Sequence, residues 1–258
     1  MTNRLDDRTY IVTGGAGAIG NAIGQTIVDE GGKVLLVDLD GSQALENAKL
    51  IDPSGDRCAG IRADVTKQRD AEEAVRITKD VYGSVEGLVN NAGLIRMSSA
   101  WDATYEDWQK HFEVNTTGAF IMSQAIGLHL QETGGSIVNI ASNCGKVGYK
   151  NMAAYNASKA AMISLTRSLS MEWAEHNINV NAICPGGVDT QMLHGVAEWL
   201  APKLNEDARS LLDSMGAEQL GRKISPLEVA RVVTFLLSDD AIIIRGQAIS
   251  VDGGETPY

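Results

Sequence analysis

The stretch YIVTGGAGAIGNAIGQTIVDE, residues 10–30, decides how this chain folds. Residues 10–13 form an apolar run of strand length, residues 14–20 are rich in glycine, and residues 21–30 have the apolar spacing of a helix. Glycine allows the tight turn between them, and the free amides at a helix N-terminus attract negative charge. Strand, glycine turn and helix in this order predict a turn that binds the pyrophosphate of a dinucleotide.

Six further apolar runs rich in valine and isoleucine follow, separated by segments of helical length. Runs such as VLLV, residues 34–37, are apolar at successive positions, as strands buried on both faces require. The seven predicted strands cover residues 10–13, 33–38, 58–63, 85–90, 136–141, 178–184 and 248–251. Predicted helices include residues 21–30, 67–82, 108–132, 152–174 and 226–237.

This alternation of strand and helix predicts an α/β fold, a Rossmann-like, doubly wound parallel sheet of seven strands with helices on both faces. No repeat or linker divides the chain, so residues 1–258 are expected to form a single domain. Residues 188–222 interrupt the alternation of strands and helices, because this segment is longer than an ordinary connection between two elements. They are predicted to form a helical substrate lid, with a plain surface excursion or a subunit contact as alternatives.

The composition limits the classes of function. Lysine and arginine number 22 against 33 acidic residues, and the net charge of −11 argues against a nucleic acid or an anionic membrane held by bulk charge. Cys58, Cys144 and Cys184 form no CxxC pair and the histidines no HExxH motif, so no metal is expected. No apolar run approaches the roughly 20 residues of a membrane span, and the acidic start differs from a signal peptide, so a cytoplasmic protein is expected.

A carboxylate follows the glycine turn at a distance typical of dinucleotide-binding folds. Asp38 ends the second predicted strand, 18 residues beyond Gly20. A carboxylate there accepts hydrogen bonds from the ribose 2′- and 3′-hydroxyls but repels a 2′-phosphate, and neither the turn nor Leu39 and Asp40 supply a cation. NAD is therefore favoured over NADP. The alternative is that Asp38 is a solvated strand-end carboxylate or a helix cap.

Tyr155 and Lys159 are one helical turn apart, so their side chains share a face of the predicted helix 152–174. Ser142 ends the strand that precedes them. A phenol titrates near 10 and needs a lower pKa to act as a base near neutrality, and a nearby ammonium shifts it in that sense. Ser142 could donate a hydrogen bond to a substrate oxygen. Taken singly, Ser142 could be an ordinary strand-end hydroxyl and Lys159 a solvated lysine.

The motifs together resemble the short-chain dehydrogenase/reductase family, in its branch of roughly this length. The match extends along almost the whole chain and comprises Thr13-Gly14 with Gly20, Asp64-Val65, Asn90-Asn91-Ala92-Gly93, Asn115 within FEVNTTG, Ser142, Tyr155, Lys159, Pro185-Gly186 through Thr190, and Val251-Asp252-Gly253-Gly254. One position departs, because the family's usual second glycine corresponds to Ala18, with Gly17 one residue earlier. A methyl group at this place is expected to change the affinity of the turn.

The resemblance implies a role for each of these residues. In the catalytic set, Tyr155 is the acid and base, Ser142 polarises the substrate oxygen, Lys159 binds the nicotinamide ribose and lowers the tyrosine pKa, and Asn115 positions a proton-relay water. The implied cofactor contacts are Gly14, Gly17, Ala18, Ile19, Gly20, Asp38, Leu39, Asp64, Val65, Asn91, Gly93, Tyr155, Lys159, Pro185, Gly186, Val188 and Thr190. A homotetramer formed through helix 152–174 and the last strand is also implied.

The implied activity is an NAD-dependent transfer of hydride between the nicotinamide and a secondary alcohol or ketone. Residues 94–98, 143–152 and 188–216 are expected to form the substrate pocket, with Ser142, Cys144, Tyr149, Tyr155, Gly187 and Met192 against the substrate. Their neighbours Arg96, Lys146, Asn151, His194 and Trp199 suit a polyol, a sugar or a cyclic alcohol.

Two other functions are weighed. A 3-oxoacyl-thioester reductase would resemble NADPH enzymes that serve an acidic carrier protein, so Asp38 and the charge of −11 speak against it. A non-catalytic NAD-sensing regulatory protein would be expected to lack Tyr155 or Lys159, and both are present.

Overall fold

The computed structural model describes residues 3–256. Its centre is a parallel sheet with the strand order β3-β2-β1-β4-β5-β6-β7. The strands are β1 (Thr9–Thr13), β2 (Lys33–Asp38), β3 (Cys58–Arg62), β4 (Gly87–Asn90), β5 (Gly135–Ile140), β6 (Ile178–Pro185) and β7 (Ala248–Val251). The seven predicted strands and the doubly wound α/β fold are confirmed, with strand bounds that differ from the prediction by at most two residues.

Helices cover both faces of the sheet. In chain order they are α1 (Ala18–Asp29), α2 (Gly41–Ile51), α3 (Gln68–Tyr82), α4 (Tyr105–Phe112), α5 (Ala119–Leu130), α6 (Ala153–Glu172), α7 (Gln191–Leu204), α8 (Ala208–Ser214) and α9 (Pro226–Leu237). The predicted helix 108–132 is not uniform, because a π-helical segment, Glu113–Gly118, joins α4 to α5. Helix α2 was not predicted, since it buries only small or polar side chains and has a weak apolar pattern.

Alternate residues of the central strands pack into two separate cores. Tyr10 and Val12 of β1 belong to the core that includes residues of α1 and α9. Ile11, between them, belongs to the core that includes residues of α3 and α5. All three side chains are fully buried. Burial on both faces explains why the strands are apolar at successive positions.

The strand order reverses between β1 and β4. Strands β2 and β3 lie on one side of β1, and β4 to β7 lie on the other. Asn91 joins the two strand ends, because its side-chain Nδ2 donates hydrogen bonds to the carbonyl oxygens of Thr13 at 3.0 Å and Gly14 at 3.1 Å. In open α/β sheets, ligands bind at the carboxyl ends of the strands where the order reverses. We therefore expect a ligand to bind at the loops after β1 and β4.

The turn between β1 and α1 depends on two glycines. Gly14 has φ +68°, a left-handed conformation that favours glycine. A Cβ added at Gly20 would lie only 2.1 Å from the carbonyl oxygen of Gly14, so α1 can approach the turn this closely only without a side chain at that position. The turn is thus compact, with the N-terminus of α1 directly behind it.

Residues 189–223 leave the body of the protein and return to it at neighbouring points. The amide of Asp189 donates to the carbonyl oxygen of Ile224, and the amide of Ile224 donates to that of Gly187, both at 2.9 Å. Helices α7 and α8 lie within this segment.

In residues 3–256 we find no helix with the length and apolarity needed to cross a bilayer. The same residues contain no cluster of three or more histidine, cysteine or acidic side chains suited to a metal ion.

Candidate active site

Four predicted catalytic side chains come from three elements. Tyr155 and Lys159 occupy the first two turns of α6, and Ser142 follows β5 directly. Asn115 lies in the π-helical segment between α4 and α5. All four side chains are buried. Single-turn π-helical insertions occur frequently at functional sites, since they redirect a side chain out of the regular helical pattern.

Lys159 is fixed by the strand beside it. Its Nζ donates a hydrogen bond of 2.7 Å to the carbonyl oxygen of Ile140, the last residue of β5. The same nitrogen lies 5.8 Å from the centre of the Tyr155 ring. Burial lowers the pKa of Lys159 to about 8, because removal from water disfavours the ammonium form. The lysine is therefore not the solvated side chain that its helical position alone would allow.

The environment of Tyr155 differs from the sequence expectation. Burial raises the pKa of its phenol, and the hydroxyl of Ser142 acts in the opposite direction. The expected lowering by Lys159 is not seen, because burial has the largest effect on the pKa of the phenol and the ammonium is itself desolvated. An edge-on contact with His111, whose ring centre lies 6.4 Å from that of Tyr155, completes the packing.

The hydroxyl of Ser142 takes part in two local hydrogen bonds. Its Oγ accepts from the amide of Cys144 at 3.1 Å and donates to Oδ1 of Asn143 at 3.3 Å. The second bond is long for an O–H donor, so a substrate oxygen could replace Asn143 as the acceptor. Burial raises the pKa of the Cys144 thiol, which keeps that residue neutral and unlike a nucleophile.

Asn115 holds the chain after β4. Its Oδ1 accepts from the amide of Leu94 at 2.8 Å, and its Nδ2 donates to the carbonyl oxygen of Leu94 and to Oγ of Ser158, both at 3.0 Å. Ser158 in turn donates to the carbonyl oxygen of Tyr155 at 2.8 Å. The side chain thus links the loop after β4 to the first turn of α6. Its predicted role in positioning a water stays a prediction.

A cavity of about 660 Å³ joins the glycine turn to these catalytic groups. Of the predicted site residues, the cavity is lined by Gly14, Gly17, Ala18, Ile19, Asp38, Asn91, Gly93, Ser142, Cys144, Tyr149, Tyr155, Lys159, Pro185, Gly186, Gly187, Val188, Thr190 and Met192. Both predicted ends of the site, nucleotide and catalytic, therefore open into one space. A cavity of this volume is in the range that holds small ligands.

Five predicted residues do not line the cavity. Gly20 is buried behind the turn, and Leu39 is 59% exposed. Asp64 accepts hydrogen bonds from the amide and hydroxyl of Thr66, and Val65 is buried. The side chain of Asn115 is hydrogen-bonded to Leu94 and Ser158. The cofactor contacts predicted for Leu39, Asp64 and Val65 stay predictions.

Asp38 lies beside the glycine turn. One carboxylate oxygen accepts from the amide of Ala16 and the other from the amide of Asp40, both at 3.0 Å. These bonds fix the carboxylate at the wall of the cavity, beside a turn with no side chain larger than methyl in residues 14–18. The residues present therefore fit a dinucleotide, with the turn for the pyrophosphate and Asp38 for the ribose hydroxyls.

Several residues that were predicted to contact the substrate pair with other side chains or lie outside the cavity. Arg96 forms an ion pair with Asp107 at 2.6 Å, and His194 pairs with Asp189 at 3.0 Å. Trp199 lines a neighbouring hollow of about 500 Å³. The loops themselves do meet, because the amide of Ser98 donates to the carbonyl oxygen of Asn151 at 3.1 Å.

Sequence reasoning missed other residues that line the cavity. Those outside every predicted site are Ala16, Ile140, Ala141 and Glu255. The cavity is also lined by Ile95, Asn143, Gln191, Leu193, Val196, Ser214 and Met215, which lie within the predicted pocket segments 94–98, 143–152 and 188–216. Glu255 stands out because it is charged and because it comes from the segment after β7, far along the chain from the other catalytic groups. No motif in the sequence marks it, and only the folded chain brings it to the cavity.

Comparison with known proteins agrees with this geometry. A family model described as "Enoyl-(Acyl carrier protein) reductase" matches residues 14–256. The 2-(S)-hydroxypropyl-CoM dehydrogenase 3 of Xanthobacter autotrophicus is 38% identical over 259 residues, or 99% of each chain. The NAD-dependent glycerol dehydrogenase of Listeria innocua is 38% identical over 98% of this chain and 95% of that protein. The crystal structure of levodione reductase superposes with a TM-score of 0.91 at 29% identity, covering 99% of this chain and 100% of that one.

Fold, glycine turn and the Ser-Tyr-Lys set define a nucleotide-dependent oxidoreductase of the α/β class. With the family match and two relatives at 38% identity over nearly the full length, the chain belongs to the short-chain dehydrogenase/reductase family. It is an oxidoreductase that acts on alcohol groups with a nicotinamide cofactor and moves hydride between that cofactor and a secondary alcohol or ketone.

Proposed function

We propose that this protein is an NAD-dependent dehydrogenase of polyols or related hydroxylated alcohols. The observation that carries the proposal is the single cavity that is lined by Asp38 and the glycine turn as well as by Ser142, Tyr155 and Lys159. The name of the Listeria innocua relative, an NAD-dependent glycerol dehydrogenase, supports both the choice of cofactor and the substrate class.

The cofactor would be held by residues at the carboxyl ends of the strands. Gly14 and Gly17 would face its pyrophosphate, Asp38 its adenosine ribose, and Val188 and Thr190 its carboxamide. When bound, NAD supplies the acceptor for the hydride. The preference for NAD over NADP rests on Asp38, whose carboxylate is fixed beside the turn and would repel a 2′-phosphate.

Three side chains would handle the proton and the charge. Tyr155 lies at the cavity wall next to Ser142. As a neutral phenol it would give its proton to the ketone oxygen during reduction, and as a phenolate it would take that proton from the alcohol during oxidation. Ser142 would turn its O–H from Asn143 to the substrate oxygen and stabilise the charge that develops there. The ammonium of Lys159, whose nitrogen lies 5.8 Å from the centre of the Tyr155 ring, would favour the phenolate that forms when the phenol gives up its proton.

The segment formed by α7 and α8 would act as the lid. Met192, Leu193, Val196 and Leu200 of α7 line the cavity, so this helix supplies an apolar wall. An apolar wall excludes water from the reacting groups, which strengthens their electrostatic interactions. A hydrogen-bond contact of 3.0 Å between Nε2 of His194 and Oδ1 of Asp189 keeps the beginning of the segment in contact with α7.

The test is a spectrophotometric screen for NADH formation across polyols, sugars and cyclic alcohols, with Tyr155→Phe as the control. Turnover by the wild-type protein that is lost in the variant is expected. Tight NAD binding without turnover of any alcohol or ketone would instead indicate a sensing protein.

The description of the matching family model favours a second candidate function, the reduction of an acyl chain that is bound to acyl carrier protein as a thioester. The charge of −11 argues against a stable complex with an acidic carrier, because like charges repel. A preference for NADPH of about tenfold or more, together with reduction of a 3-oxoacyl thioester, would revive this candidate.

The assembly we propose is a cytoplasmic homotetramer. Its subunits would meet through α6 and β7, and large apolar side chains are exposed on or shortly before these elements, namely Met171 of α6 and Ile243 before β7. Contact with another copy would remove these side chains from water.

A further inference from the structure

Glu255 is held in place by the turn that follows β7. The carboxylate of Asp252, which is buried, accepts from the amides of Gly254 at 3.1 Å and Thr256 at 2.9 Å. These bonds close the backbone on either side of Glu255 and direct its side chain into the cavity. A Cβ added at Gly186 would lie 2.7 Å from Oε2 of Glu255, so the carboxylate packs directly against the loop that follows β6.

A directed chain of hydrogen bonds connects Glu255 to the catalytic serine. Ser142 donates to Oδ1 of Asn143 at 3.3 Å, and Nδ2 of Asn143 donates to the hydroxyl of Tyr149 at 3.1 Å. Tyr149 has one proton to give, and it donates that proton to Oε1 of Glu255. Every bond in the chain points toward the carboxylate, which therefore acts as an acceptor. Burial, and then the hydrogen bond to Glu255, raise the pKa of Tyr149 and keep it protonated.

The electrostatics of the cavity depend on few groups. Among its described lining residues, the charged side chains are Asp38, Lys159 and Glu255. Asp38 lies at the nucleotide end, and Lys159 is engaged with Ile140. Beyond the reacting groups, the cavity therefore offers the substrate one negative charge and no positive charge among these residues. An anionic substrate would be repelled there, whereas a hydroxyl group could donate to the carboxylate.

Oε1 of Glu255 receives the Tyr149 hydroxyl, but within residues 3–256 Oε2 receives no hydrogen bond from a side chain or amide. Apolar residues of α7, including Met192, Val196 and Leu200, form the wall supplied by the lid. A polyol that enters this space has hydroxyl groups besides the reacting one, and each of them needs an acceptor or donor once it leaves water. Glu255 is placed to supply the acceptor.

We infer that Glu255, oriented by Tyr149, determines the substrate specificity of this enzyme. Its carboxylate accepts a hydrogen bond from a second hydroxyl group of the substrate, further along the carbon chain than the reacting hydroxyl, and it excludes substrates with an anionic group at that place. This inference rests on the proposed function and narrows it to neutral substrates with at least two hydroxyl groups.

Three alcohols of one carbon skeleton test the inference, namely butan-2-ol, butane-1,3-diol and 3-hydroxybutanoate. They share the reacting secondary alcohol and differ in the far carbon, which is a methyl group, a hydroxymethyl group or a carboxylate. For the wild-type enzyme we expect the highest kcat/KM with the diol and the lowest with the anion. The readout is the ratio of each kcat/KM to that of butan-2-ol, so a general loss of activity cancels.

The variant is Glu255→Gln, which keeps the shape of the side chain and removes its charge. A charge-assisted hydrogen bond discriminates by about ten- to a hundredfold, so the diol ratio should fall by about tenfold or more, while the ratio for 3-hydroxybutanoate should rise. Tyr149→Phe, which removes the hydroxyl that orients Glu255, should shift both ratios in the same directions. Glu218→Gln is the matched control, because Glu218 is exposed and does not line the cavity.

A second readout is independent of turnover. With NADH present, butane-1,3-diol should raise the melting temperature of the wild-type protein more than that of Glu255→Gln. If the wild type oxidises butan-2-ol and both ratios stay within about twofold in Glu255→Gln and Tyr149→Phe, the inference is wrong and the proposed function stands. If the wild type forms no NADH with any alcohol, the proposed function is wrong and the inference falls with it.

Discussion

The side-chain nitrogen of Lys159 donates to the carbonyl oxygen of Ile140 at 2.7 Å and lies 5.8 Å from the centre of the Tyr155 ring. One ammonium thus joins the end of β5 to the first turns of α6 and faces the phenol from the same helix. The arrangement places a desolvated cation and a desolvated phenol side by side, each with a pKa displaced toward its neutral form. Their chemistry can be tested separately.

The first test removes the phenolic hydroxyl. Tyr155→Phe should lower kcat by about 10²- to 10⁴-fold, because general acid–base transfer by a positioned group contributes about that much. The affinity for NADH should change little, since the ring still fills its place beside His111. Initial rates and NADH fluorescence titration measure the two effects. A variant that kept full activity would show that another group moves the proton.

The second test concerns stability. Lys159 has a pKa of about 8 in the folded protein against 10.5 when unfolded, so between these values the unfolded chain holds a proton that the folded protein lacks. Stability from this group therefore rises as the pH increases from 8 toward 10.5. Below pH 8 the buried ammonium costs about 3 kcal/mol.

Lys159→Met should remove this pH dependence. At pH 7 the variant should be more stable than the wild type by about 2 kcal/mol, because loss of the bond to Ile140 offsets about 1 kcal/mol of the gain. By pH 10 most of the advantage should have disappeared. Urea unfolding of both proteins across this range measures the difference, in which other titrating groups cancel. A difference that is constant with pH would mean that Lys159 keeps an ordinary pKa.

The fold was predictable because its signals are local and repeated. Each buried strand needs successive apolar residues, and each covering helix needs one apolar face, so the runs near Val34 and Ile137 identified the sheet. Helix α2 and the π-helical segment around Asn115 were not predictable in this way. The first buries few apolar side chains, and the second depends on tertiary contacts with Leu94 and Ser158.

Some residues of the candidate site could be predicted from local spacing, and others could not. Tyr155 and Lys159 are neighbours on one helix, and Asp38 follows the glycine turn by a fixed interval, so spacing could identify them. Glu255 reaches the cavity only because β7 pairs with β6 at the edge of the sheet. The displaced pKa of the Tyr155 phenol was also out of reach, since burial is a property of the folded protein and not of sequence spacing.

A matched pair of glycine substitutions tests the pyrophosphate turn. Gly20→Ala would place a methyl group 2.1 Å from the carbonyl oxygen of Gly14, so it should lower both thermal stability and NADH affinity. Gly17→Ala meets its nearest atom at 3.5 Å, so the protein should fold normally. Its affinity for NADH should nevertheless fall, because the methyl group would occupy the space for the pyrophosphate. Equal NADH affinity in Gly17→Ala and wild type would show that the pyrophosphate binds elsewhere.

Asp38→Asn tests the choice of cofactor. The substitution keeps an acceptor for the amide of Ala16 but removes the charge that would repel a 2′-phosphate. The ratio of kcat/KM for NAD to that for NADP should fall by about tenfold or more. Asp40→Asn is the control, because its carboxylate caps α2 by accepting from Gln43 at 3.1 Å. If both variants change the ratio equally, Asp38 has no special place at the ribose.

The proposed tetramer can be tested at Met171. This side chain is 81% exposed on α6, and in an assembly with two-fold symmetry it would face the same helix of a second copy. Met171→Glu would then bring like charges together in an apolar interface, so the variant should sediment as a smaller species while the wild type sediments as a tetramer. Leu50→Glu is the matched control, because Leu50 is 74% exposed on α2, away from the proposed interfaces. A monomeric wild-type protein, or equal sedimentation of the two variants, would contradict the proposal, because in either case α6 would not be an interface.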